Sequence, residues 1–449
     1  MKDDNFLREN NARHLWHPMA HPRDMQENPP KIITGAEGVK ITDLDGNRVI
    51  DGVAGLWCVN LGYSNDAVKE AIARQLTDLP YYSGFGGCTN PMAIEASYAV
   101  RDFFAADGMA RVFFTSGGSD SVETCLRLAR QYHRLRGQPT RTKYLSLKRG
   151  YHGTHLGGAS VNGNNRFRVG YEPLLPGCFQ LPAPYLYRNP FDETDPARLA
   201  QLIVQMAEDE ILFQGPETIA AFIMEPILGA GGVIVPPASF MPAMRTLCDK
   251  HGILMIADEV ITGFGRTGHW SGSRHWGVKP DMMSTAKGIS SAYFPVGAAL
   301  MSDKVAEVFE TAGADGAIFH GYTYSAHPVG AAAVVACLKE TLRLDTAANA
   351  GPRGDQLFAG LQRLQDRHAI IGDVRGGHGL MAGIELVSDR TAKTPLDAAA
   401  IKRIHEATYQ AGAMVRIALN NIVMSPPLVI TEAEVDALLS ALDAGLAAV

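Results

Sequence analysis

Between residues 111 and 301 the sequence alternates short, almost continuously apolar runs with longer stretches of helical period. The strand-like runs are RVFFTS (111–116), KYLSL (143–147), IAAFIMEP (219–226), ILMIADEV (253–260), DMMSTAKG (281–288) and PVGAALM (295–301). Strands that are apolar on both faces and separated by helices are typical of a mostly parallel sheet with helices on both sides. The alternation therefore predicts an α/β fold whose ligands bind at the carboxyl ends of the strands.

The two ends of the chain carry a different pattern. Residues 38–50, GVKITDLDGNRVI, alternate as in a strand pair around an Asp-Gly dipeptide, which favours a tight hairpin turn. After about residue 330, helical segments flank a mixed strand region near VRGGHGLMAGIELV. A chain of 449 residues is long enough to bury two cores. We expect a large domain over 61–328 and a smaller α+β domain formed by 1–60 together with 329–449.

Composition and charge exclude several classes of function. The formal net charge is −6 and Lys and Arg form no cluster, so nucleic acid is not an expected partner. No apolar run reaches the roughly 18 residues of a membrane span, and the first residues, MKDDNFLREN, lack the apolar core of a signal peptide. Six cysteines are scattered without a C-x-x-C pair, which indicates reduced thiols in a cytoplasm. His152 and His155 form H-x-x-H without the glutamate of a zinc-protease motif, so no metal site is predicted.

Polar residues follow the predicted strands at the points where these strands end. Glu225 ends one strand, the pair Asp258 and Glu259 ends another, and Lys287 ends a third. A glycine turn, SGGS at 116–119, joins a fourth strand to a helix. Each feature alone has an ordinary structural explanation, since acids at strand ends often cap helices. Because the ends of parallel strands meet at one edge of the sheet, their combination predicts a site there.

The glycine turn has the properties of an anion site. Gly117 and Gly118 let the backbone approach a ligand closely, and the helix that follows offers unpaired N–H groups and the positive end of its dipole. The turn lacks the G-x-x-x-x-G-K-[ST] pattern of nucleotide P-loops, so a phosphate other than that of a nucleoside triphosphate is expected.

A second glycine motif, GFGRTG at 263–268, formally matches the dinucleotide fingerprint G-x-G-x-x-G. That fingerprint requires a helix after the glycines and an acid at the end of the next strand. The following segment, HWSGSRHWGVKP, has no helical period, and the nearest acid, Asp281, lies at the beginning of the next strand. We therefore interpret GFGRTG as a glycine-rich loop and do not expect a nicotinamide cofactor.

Lys287 and Asp258 lie at the ends of separate predicted strands. Burial disfavours the ammonium form of a lysine, and the neutral amine that results can form a Schiff base. A Schiff-base lysine, an aspartate partner for a pyridinium nitrogen and a phosphate cradle together describe a pyridoxal phosphate (PLP) site. The sequence thus predicts PLP as the cofactor.

A series of motifs along almost the whole chain supports this prediction. In order they are HLWHPM, DGVAGLWCVNLGY, YHGTHLGGAS, EPILGAGGVIVPP, ADEVITGFGRTG, STAKGISS, HGYTYSAHPVGAAA and MVRIALNNIVMSPPL. Taken together they resemble the class III PLP-dependent aminotransferases, particularly the omega-aminotransferases that accept pyruvate. The resemblance implies the α/β fold of the fold-type I PLP transferases, with a large domain of mostly parallel sheet.

The resemblance also implies roles for individual residues around the cofactor. Lys287 would carry PLP as a Schiff base and transfer protons, and Asp258 would keep the pyridine nitrogen protonated. Val260 would pack on one face of the ring and Tyr151 would stack on the other. The residues that would hold the phosphate are Gly117, Gly118 and Ser119, with Thr323 contributed by the other subunit of a homodimer. For Glu225, hydrogen bonding in the cavity and capping of a helix remain alternatives.

The residues implied for substrate binding are Leu56, Trp57, Phe85, Tyr151 and Arg416. Arg416 would bind the carboxylate of an acid substrate and swing aside for an amine that lacks one. Ordinary core packing remains the alternative for Tyr151, Trp57 and Phe85, and a structural or surface role remains the alternative for Arg416. One departure from the family is the phosphate turn, SGGSD, where the family usually has Asn-Ser-Gly-Ser-Glu. Backbone contacts would survive this change, whereas side-chain contacts from its first two positions would not.

We therefore predict a cytoplasmic, homodimeric PLP aminotransferase, with a tetramer as the larger assembly to consider. It would move an amino group from a primary amine or omega-amino acid to an alpha-keto acid, with pyruvate first among acceptors, in two alternating half-reactions. The nearest alternative is a decarboxylating aminotransferase or an aminomutase of the same fold. A PLP-fold binding module without turnover and a nicotinamide-dependent oxidoreductase are further alternatives. The sequence does not distinguish beta-alanine, taurine, diamines and aryl-alkyl amines as donors.

Overall fold

The structure is a computed structural model that describes residues 3–449. Its helices are α1 (Asp4–Asn10), α2 (Pro22–Glu27), α3 (Ala54–Trp57), α4 (Asp66–Asp78), α5 (Pro91–Phe103), α6 (Gly118–Leu135), α7 (Leu156–Val161), α8 (Pro196–Gln214), α9 (Phe240–His251), α10 (Gly272–His275), α11 (Asp303–Thr311), α12 (Pro328–Arg343), α13 (Thr346–Arg367), α14 (Ala398–Gln410) and α15 (Glu432–Leu446). Its strands are β1 (Ile33–Glu37), β2 (Lys40–Asp43), β3 (Arg48–Asp51), β4 (Met109–Thr115), β5 (Lys143–Leu147), β6 (Cys178–Leu181), β7 (Ile219–Met224), β8 (Leu254–Asp258), β9 (Met282–Thr285), β10 (Gly297–Ser302), β11 (Ile371–Arg375), β12 (Ala382–Asp389), β13 (Thr394–Pro395), β14 (Ala413–Met414), β15 (Arg416–Ala418) and β16 (Asn421–Met424).

The central sheet has seven strands in the order β4-β10-β9-β8-β7-β5-β6. Strands β9, β8, β7, β5 and β6 are paired in parallel. Strand β10 is antiparallel to both of its neighbours, β9 and β4, so that β4 runs in the same direction as the parallel strands. All six strands predicted between residues 111 and 301 are present, while β6 was not recognised in the sequence.

Both faces of this sheet are covered, which explains why its strands are apolar throughout. Phe222 and Met224 of β7 belong to one core cluster, which includes residues of α5, α8, α9 and α12. Ala221 and Ile223, which alternate with them, belong to another cluster, with the apolar face of α6. Successive side chains of a strand point to opposite faces, so a strand between two helical layers needs apolar residues at every position.

The two ends of the chain meet in a second set of strands. β2 and β3 form the predicted antiparallel hairpin, and β3 pairs in parallel with β14, opposing Ile50 to Ala413. A further sheet, β11-β12-β16-β15 with β13 on β12, shares a core cluster with residues of α13, α14 and α15. A small domain built from both chain ends requires contacts between these ends, and the pairing of β3 with β14 is such a contact. The predicted boundaries of the two domains stay predictions.

Residues 3–449 contain neither a membrane-spanning helix nor a metal-binding cluster. None of the described helices is both long and apolar enough to cross a membrane. Among the same residues, no group of three or more His, Cys, Asp or Glu side chains is placed to hold a metal ion.

Candidate active site

A cavity of about 330 Å³ lies where β4, β8 and β9 end. Its walls come from the turn after β4, from the loop after β5 and from the segments that follow β7, β8 and β9. The lining residues are Ser116, Gly117, Gly118, Ser119, Val122, Tyr151, His152, Gly153, Glu225, Asp258, Val260, Ile261, Ala286, Lys287, Ser290, Ala292, Phe294, Pro295 and Val296. The structure thus brings together at one edge of the sheet the four strand-end features seen in the sequence.

The turn after β4 leads directly into α6, which begins at Gly118 with Gly117 as its N-cap. The N–H groups of the first helical turn have no helical carbonyl to bond, so they are available to an anion. Gly118 packs closely on Val260, since a Cβ atom there would lie 3.0 Å from Cγ1 of Val260 and would have to displace that side chain. Asp120 accepts a hydrogen bond from the Ser116 N–H at 3.0 Å, which fixes the beginning of the turn.

The loop after β5 packs tightly on this turn. Ser119 Oγ accepts a hydrogen bond from the Thr154 N–H at 3.2 Å. Gly153 has a φ of +90°, and a Cβ atom there would lie 2.5 Å from Ser119 Oγ. Only glycine allows both this backbone conformation and this approach.

Asp258, the last residue of β8, is buried and paired with His152. The Nδ1 atom of His152 lies 2.8 Å from Oδ2 of Asp258, and the other carboxylate oxygen accepts a hydrogen bond from the Val260 N–H at 3.2 Å. The Nε2 atom of His152 is buried and has no hydrogen-bond partner within residues 3–449. Sequence reasoning considered His152 only as a metal ligand and missed this pairing. The available signal was its position beside Tyr151 in the loop that follows β5.

Glu225 joins two loops of the cavity wall. Its Oε1 accepts a hydrogen bond from the Tyr151 N–H at 2.9 Å, and its Oε2 accepts one from the Gly229 N–H at 2.8 Å. Burial raises its pKa to about 7, while His152 lowers the pKa and Asp258 raises it further. Glu225 thus bonds two loop segments of the cavity wall, and neither Tyr151 nor Gly229 lies in a helix. Its predicted role at the cofactor stays a prediction.

Lys287 follows β9 and its side chain lines the cavity. Its φ of +50° is uncommon for a residue with a side chain, and such strain concentrates at functional sites. No hydrogen bond or ion pair holds its Nζ atom within the described part of the chain. Burial lowers its pKa, although the negative potential of Asp258 opposes the shift. The result is an amine that releases its proton easily and is free to react.

Tyr151 and Val260 complete the walls around Lys287. The ring of Tyr151 makes an edge-to-face contact with Phe167 at a centroid distance of 5.0 Å. Burial raises the pKa of its hydroxyl, and the charge of Asp258 raises it further. Val260 lines the same cavity, as the predicted contact with a cofactor ring requires.

Arg416 does not line the cavity, although it lies close enough to act on it. It is the first residue of β15 and is half-buried. Its positive charge lowers the pKa of both Lys287 and Tyr151. Among residues 3–449 its guanidinium makes no hydrogen bond and no ion pair, and burial lowers its own pKa.

The other residues predicted for substrate and phosphate also lie outside the lining of this cavity. Trp57 is only 1% exposed and belongs to an apolar cluster that includes Ile261, a lining residue. Leu56 and Phe85 are exposed. Thr323 is exposed as well, and its carbonyl accepts a hydrogen bond from the Tyr81 hydroxyl at 2.8 Å. The roles predicted for these four residues stay predictions.

Comparison with known proteins decides the family. The family model for class-III aminotransferases matches residues 22–446. The chain belongs to the class-III aminotransferases. The predicted PLP-dependent aminotransferase, its cofactor and its α/β fold of the fold-type I enzymes are thereby confirmed.

Three similar proteins align with this chain over more than nine-tenths of their own length. A putrescine–pyruvate aminotransferase of Pseudomonas aeruginosa is 36% identical over 436 residues, covering 95% of this chain and 92% of that protein. A taurine–pyruvate aminotransferase of Bilophila wadsworthia is 34% identical over 441 residues, covering 96% and 94%. The crystal structure of a PLP-bound amine transaminase from an uncultivated Pseudomonas species has a TM-score of 0.95 and 46% identity, with 97% and 98% covered. A decarboxylating aminotransferase or an aminomutase is therefore not favoured for this class-III aminotransferase.

The residues of the cavity fit PLP. The amine of Lys287 has no hydrogen-bond or ion-pair partner within residues 3–449, the Asp258 carboxylate lines the same space, and the beginning of α6 offers N–H groups to a phosphate. Nothing in this donor set requires a metal ion. In this class-III aminotransferase the amine of Lys287, the carboxylate of Asp258 and the glycine turn before α6 therefore surround one cavity.

Proposed function

We propose that this class-III aminotransferase moves an amino group from a primary amine or omega-amino acid to pyruvate. The observation that carries the proposal is the half-buried guanidinium of Arg416, which has no partner within residues 3–449 but acts on both Lys287 and Tyr151. A guanidinium remains charged when buried and grips a carboxylate through two parallel hydrogen bonds. Pyruvate supplies such a carboxylate, and the similar putrescine and taurine enzymes are named for pyruvate.

The chain's own residues would hold the cofactor at both ends. The N–H groups of Gly117, Gly118 and Ser119 suit the phosphate, because the positive end of α6 points towards it. Asp258 would keep the pyridine nitrogen protonated, with its carboxylate oriented by His152. Tyr151 and Val260 would enclose the ring between them.

When bound, PLP supplies an electron sink for the carbon that carries the transferred nitrogen. Lys287 would take the proton from that carbon on its Nζ atom, because burial lowers its pKa and so favours the neutral amine, which can act as a base. Lys287 would then donate this proton to the cofactor carbon on the other side of the transferred nitrogen, and in the keto-acid half-reaction it would move a proton in the opposite direction. Arg416 holds the carboxylate of the acid substrate, and Glu225 keeps the Tyr151 loop in place through its backbone N–H.

The proposal includes a homodimer in which each site uses residues of both chains. It is supported by two loops that pack together and expose large apolar side chains. Tyr81 contacts Tyr324 at a ring-centroid distance of 6.0 Å, while Phe85 and Phe319 are 54% and 94% exposed. Such a patch marks an interaction surface, and a second copy would bring Thr323, Phe85 and Leu56 to its partner's cavity. All six cysteines are free, which supports a reducing cytoplasm as its location.

The two half-reactions can be tested separately by the visible absorbance of the PLP-loaded enzyme. We expect a primary amine or beta-alanine to change the spectrum and pyruvate to restore it. Lys287→Ala should abolish both changes while the protein stays folded. If Lys287→Ala cycles at the wild-type rate, Lys287 is only a buried lysine and the site is wrongly assigned.

The role of Arg416 is tested by comparing substrates with and without a carboxylate. A charge-assisted hydrogen bond is worth about 1.5–3 kcal/mol, so Arg416→Ala should lower the efficiency of the pyruvate half-reaction about tenfold to a hundredfold. The half-reaction of an amine without a carboxylate should change by less than about threefold. Arg166→Ala is the matched control, since Arg166 is exposed and its charge acts on Arg416. Equal losses with both substrates would contradict the assignment.

The shared site is tested by mixing two variants. Subunits carrying Lys287→Ala and subunits carrying Thr323→Val are refolded together with PLP. In the mixed dimer one site carries both defects and the other carries neither, so activity above that of either variant alone is expected. A mixture that only averages the two variants would contradict a site shared between subunits.

A further inference from the structure

Seven polar residues form a hydrogen-bonded network, which we call the Arg375 network. Four of them are buried and three are half-buried. They come from β11, β12, the β15–β16 hairpin and the segment after β6. The members are Tyr185, Arg188, Asp373, Arg375, Glu385, Asn420 and Asn421. None of them touches the cavity directly. Polar groups removed from water are costly unless they are satisfied, and a satisfied network holds its members in one arrangement.

Arg375 is the centre of this network and uses its guanidinium in three directions. Its Nε donates to the carbonyl of Gly232 at 2.8 Å, and one terminal nitrogen donates to the Tyr185 hydroxyl at 2.6 Å. The other terminal nitrogen donates to Oδ1 of Asn421. Arg375 therefore links the side chain of Asn421 to the backbone of Gly232.

Asn421 forms a hydrogen bond within the hairpin that carries Arg416. It begins β16 and lies opposite Ala418, the last residue of β15. Its Nδ2 donates to the carbonyl of Ala418 at 3.1 Å, and the neighbouring Asn420 donates to Oε1 of Glu385 at 3.0 Å. The turn between the strands is thus held by two side-chain amides.

The other side of the network reaches the wall of the cavity. Gly232 donates its N–H to the carbonyl of Gly229, and the Gly229 N–H donates to Glu225. Glu225 in turn accepts the Tyr151 N–H. An unbroken chain of hydrogen bonds therefore runs from the backbone of Tyr151 through Arg375 to the hairpin of Arg416.

This chain matters because no bond to the guanidinium of Arg416 fixes its position within residues 3–449. Its place relative to Lys287 depends on where the backbone of β15 lies. A misplacement of about 1 Å can cost about a hundredfold in rate when it affects a group that orients a substrate. The turn also contains Leu419 with a φ of +58°, a conformation that must be held from outside.

We propose that Arg375 and Asn421 are positioning residues that set Arg416 at the distance from Tyr151 and Lys287 that a carboxylate substrate requires. They act through the β15–β16 hairpin and touch no substrate. The inference rests on the proposed role of Arg416 and extends it to how this chain places that arginine.

The sharpest test is Asn421→Asp in the PLP-loaded enzyme. The aspartate can still accept the hydrogen bond from Arg375. Its second oxygen, however, faces the carbonyl oxygen of Ala418 and repels it. The hairpin is therefore expected to shift while Arg375 keeps its charge and its hydrogen bonds. We expect the efficiency of the pyruvate half-reaction to fall about tenfold, and that of an amine without a carboxylate to change by less than twofold. Arg375→Lys keeps the positive charge but loses the several N–H donors of the guanidinium. It should likewise lower the pyruvate half-reaction and leave the half-reaction of an amine without a carboxylate almost unchanged.

Asn349→Asp is the matched control, because the Asn349 amide also donates to backbone carbonyls, those of Leu428 and Ile430. It should leave the ratio of the two half-reactions unchanged. In an Arg416→Ala background, Asn421→Asp should add no further loss to the pyruvate half-reaction, since coupled residues are not additive.

The outcomes separate this inference from the proposed function. If Arg416→Ala is selective for pyruvate but Asn421→Asp lowers both half-reactions equally or neither, the positioning role is wrong and the proposed role of Arg416 stands. An additional loss in the double variant would equally overturn the positioning role. If Arg416→Ala itself is not selective, the role of Arg416 falls and the inference falls with it.

Discussion

The imidazole of His152 lies 2.8 Å from the carboxylate of Asp258, and both side chains are almost completely buried. The carboxylate is bonded on its other oxygen by the Val260 N–H. Its orientation in the cavity is therefore fixed from two sides. If Nδ1 carries the proton, it donates to Asp258 and stabilises the anion beside the place of the pyridine nitrogen.

His152→Phe is expected to weaken catalysis without removing it. A buried hydrogen bond to a charged group contributes about 1.5–3 kcal/mol, so kcat/KM should fall about tenfold to a hundredfold for all donors. His155→Phe is the matched control. The His155 side chain is 45% exposed and its Nε2 lies 2.6 Å from Asp120, and ion pairs with an exposed partner contribute little. Steady-state rates that are equal in the two variants would show that His152 does not support Asp258.

Gly153→Ala is expected to destabilise the protein more than an ordinary glycine substitution at positive φ. Gly137 has a φ of +73° with open space around it, so Gly137→Ala should cost only the backbone strain, about 1 kcal/mol. At Gly153 the new Cβ atom would also displace Ser119, which adds about 1–3 kcal/mol. Thermal unfolding compares the two variants, and the dissociation constant of PLP should rise in Gly153→Ala alone. Equal unfolding midpoints would contradict this account of Gly153.

Glu225 is expected to make the stability of the cofactor-free protein depend on pH. Burial raises its pKa from 4.5 to about 7, so folding favours the neutral acid. Its stabilising contribution is fully present below pH 4.5 and is lost as the pH rises through about 7, in total about 3 kcal/mol. Glu225→Gln removes this loss, so the stability of wild type relative to the variant should fall between pH 4.5 and 7.5. Denaturant unfolding across this range would contradict the prediction if the two curves stay parallel.

The α/β fold and the position of the site could be predicted from the sequence. Apolar runs such as KYLSL at 143–147 are dictated by burial on both faces of a strand, which is a local requirement visible in one stretch of chain. The strand-end positions of Asp258 and Lys287 follow in the same way, because parallel strands end at one edge of the sheet. The glycines of the turn at Gly117 and Gly118 also show in the sequence as a local pattern.

Which side chains meet could not be predicted, because it depends on how distant segments pack. His152 reaches Asp258 across 106 residues of sequence, and Arg375 bonds Asn421 across 46. Nor could the sequence show that β10 runs antiparallel, or that Trp57 is buried while Phe85 is exposed. Periodicity records whether a residue is buried, because burial acts on each position of an element. Which side chains form hydrogen bonds with each other depends on how separate elements pack. The same histidine could pair with any acid that this packing brings within reach.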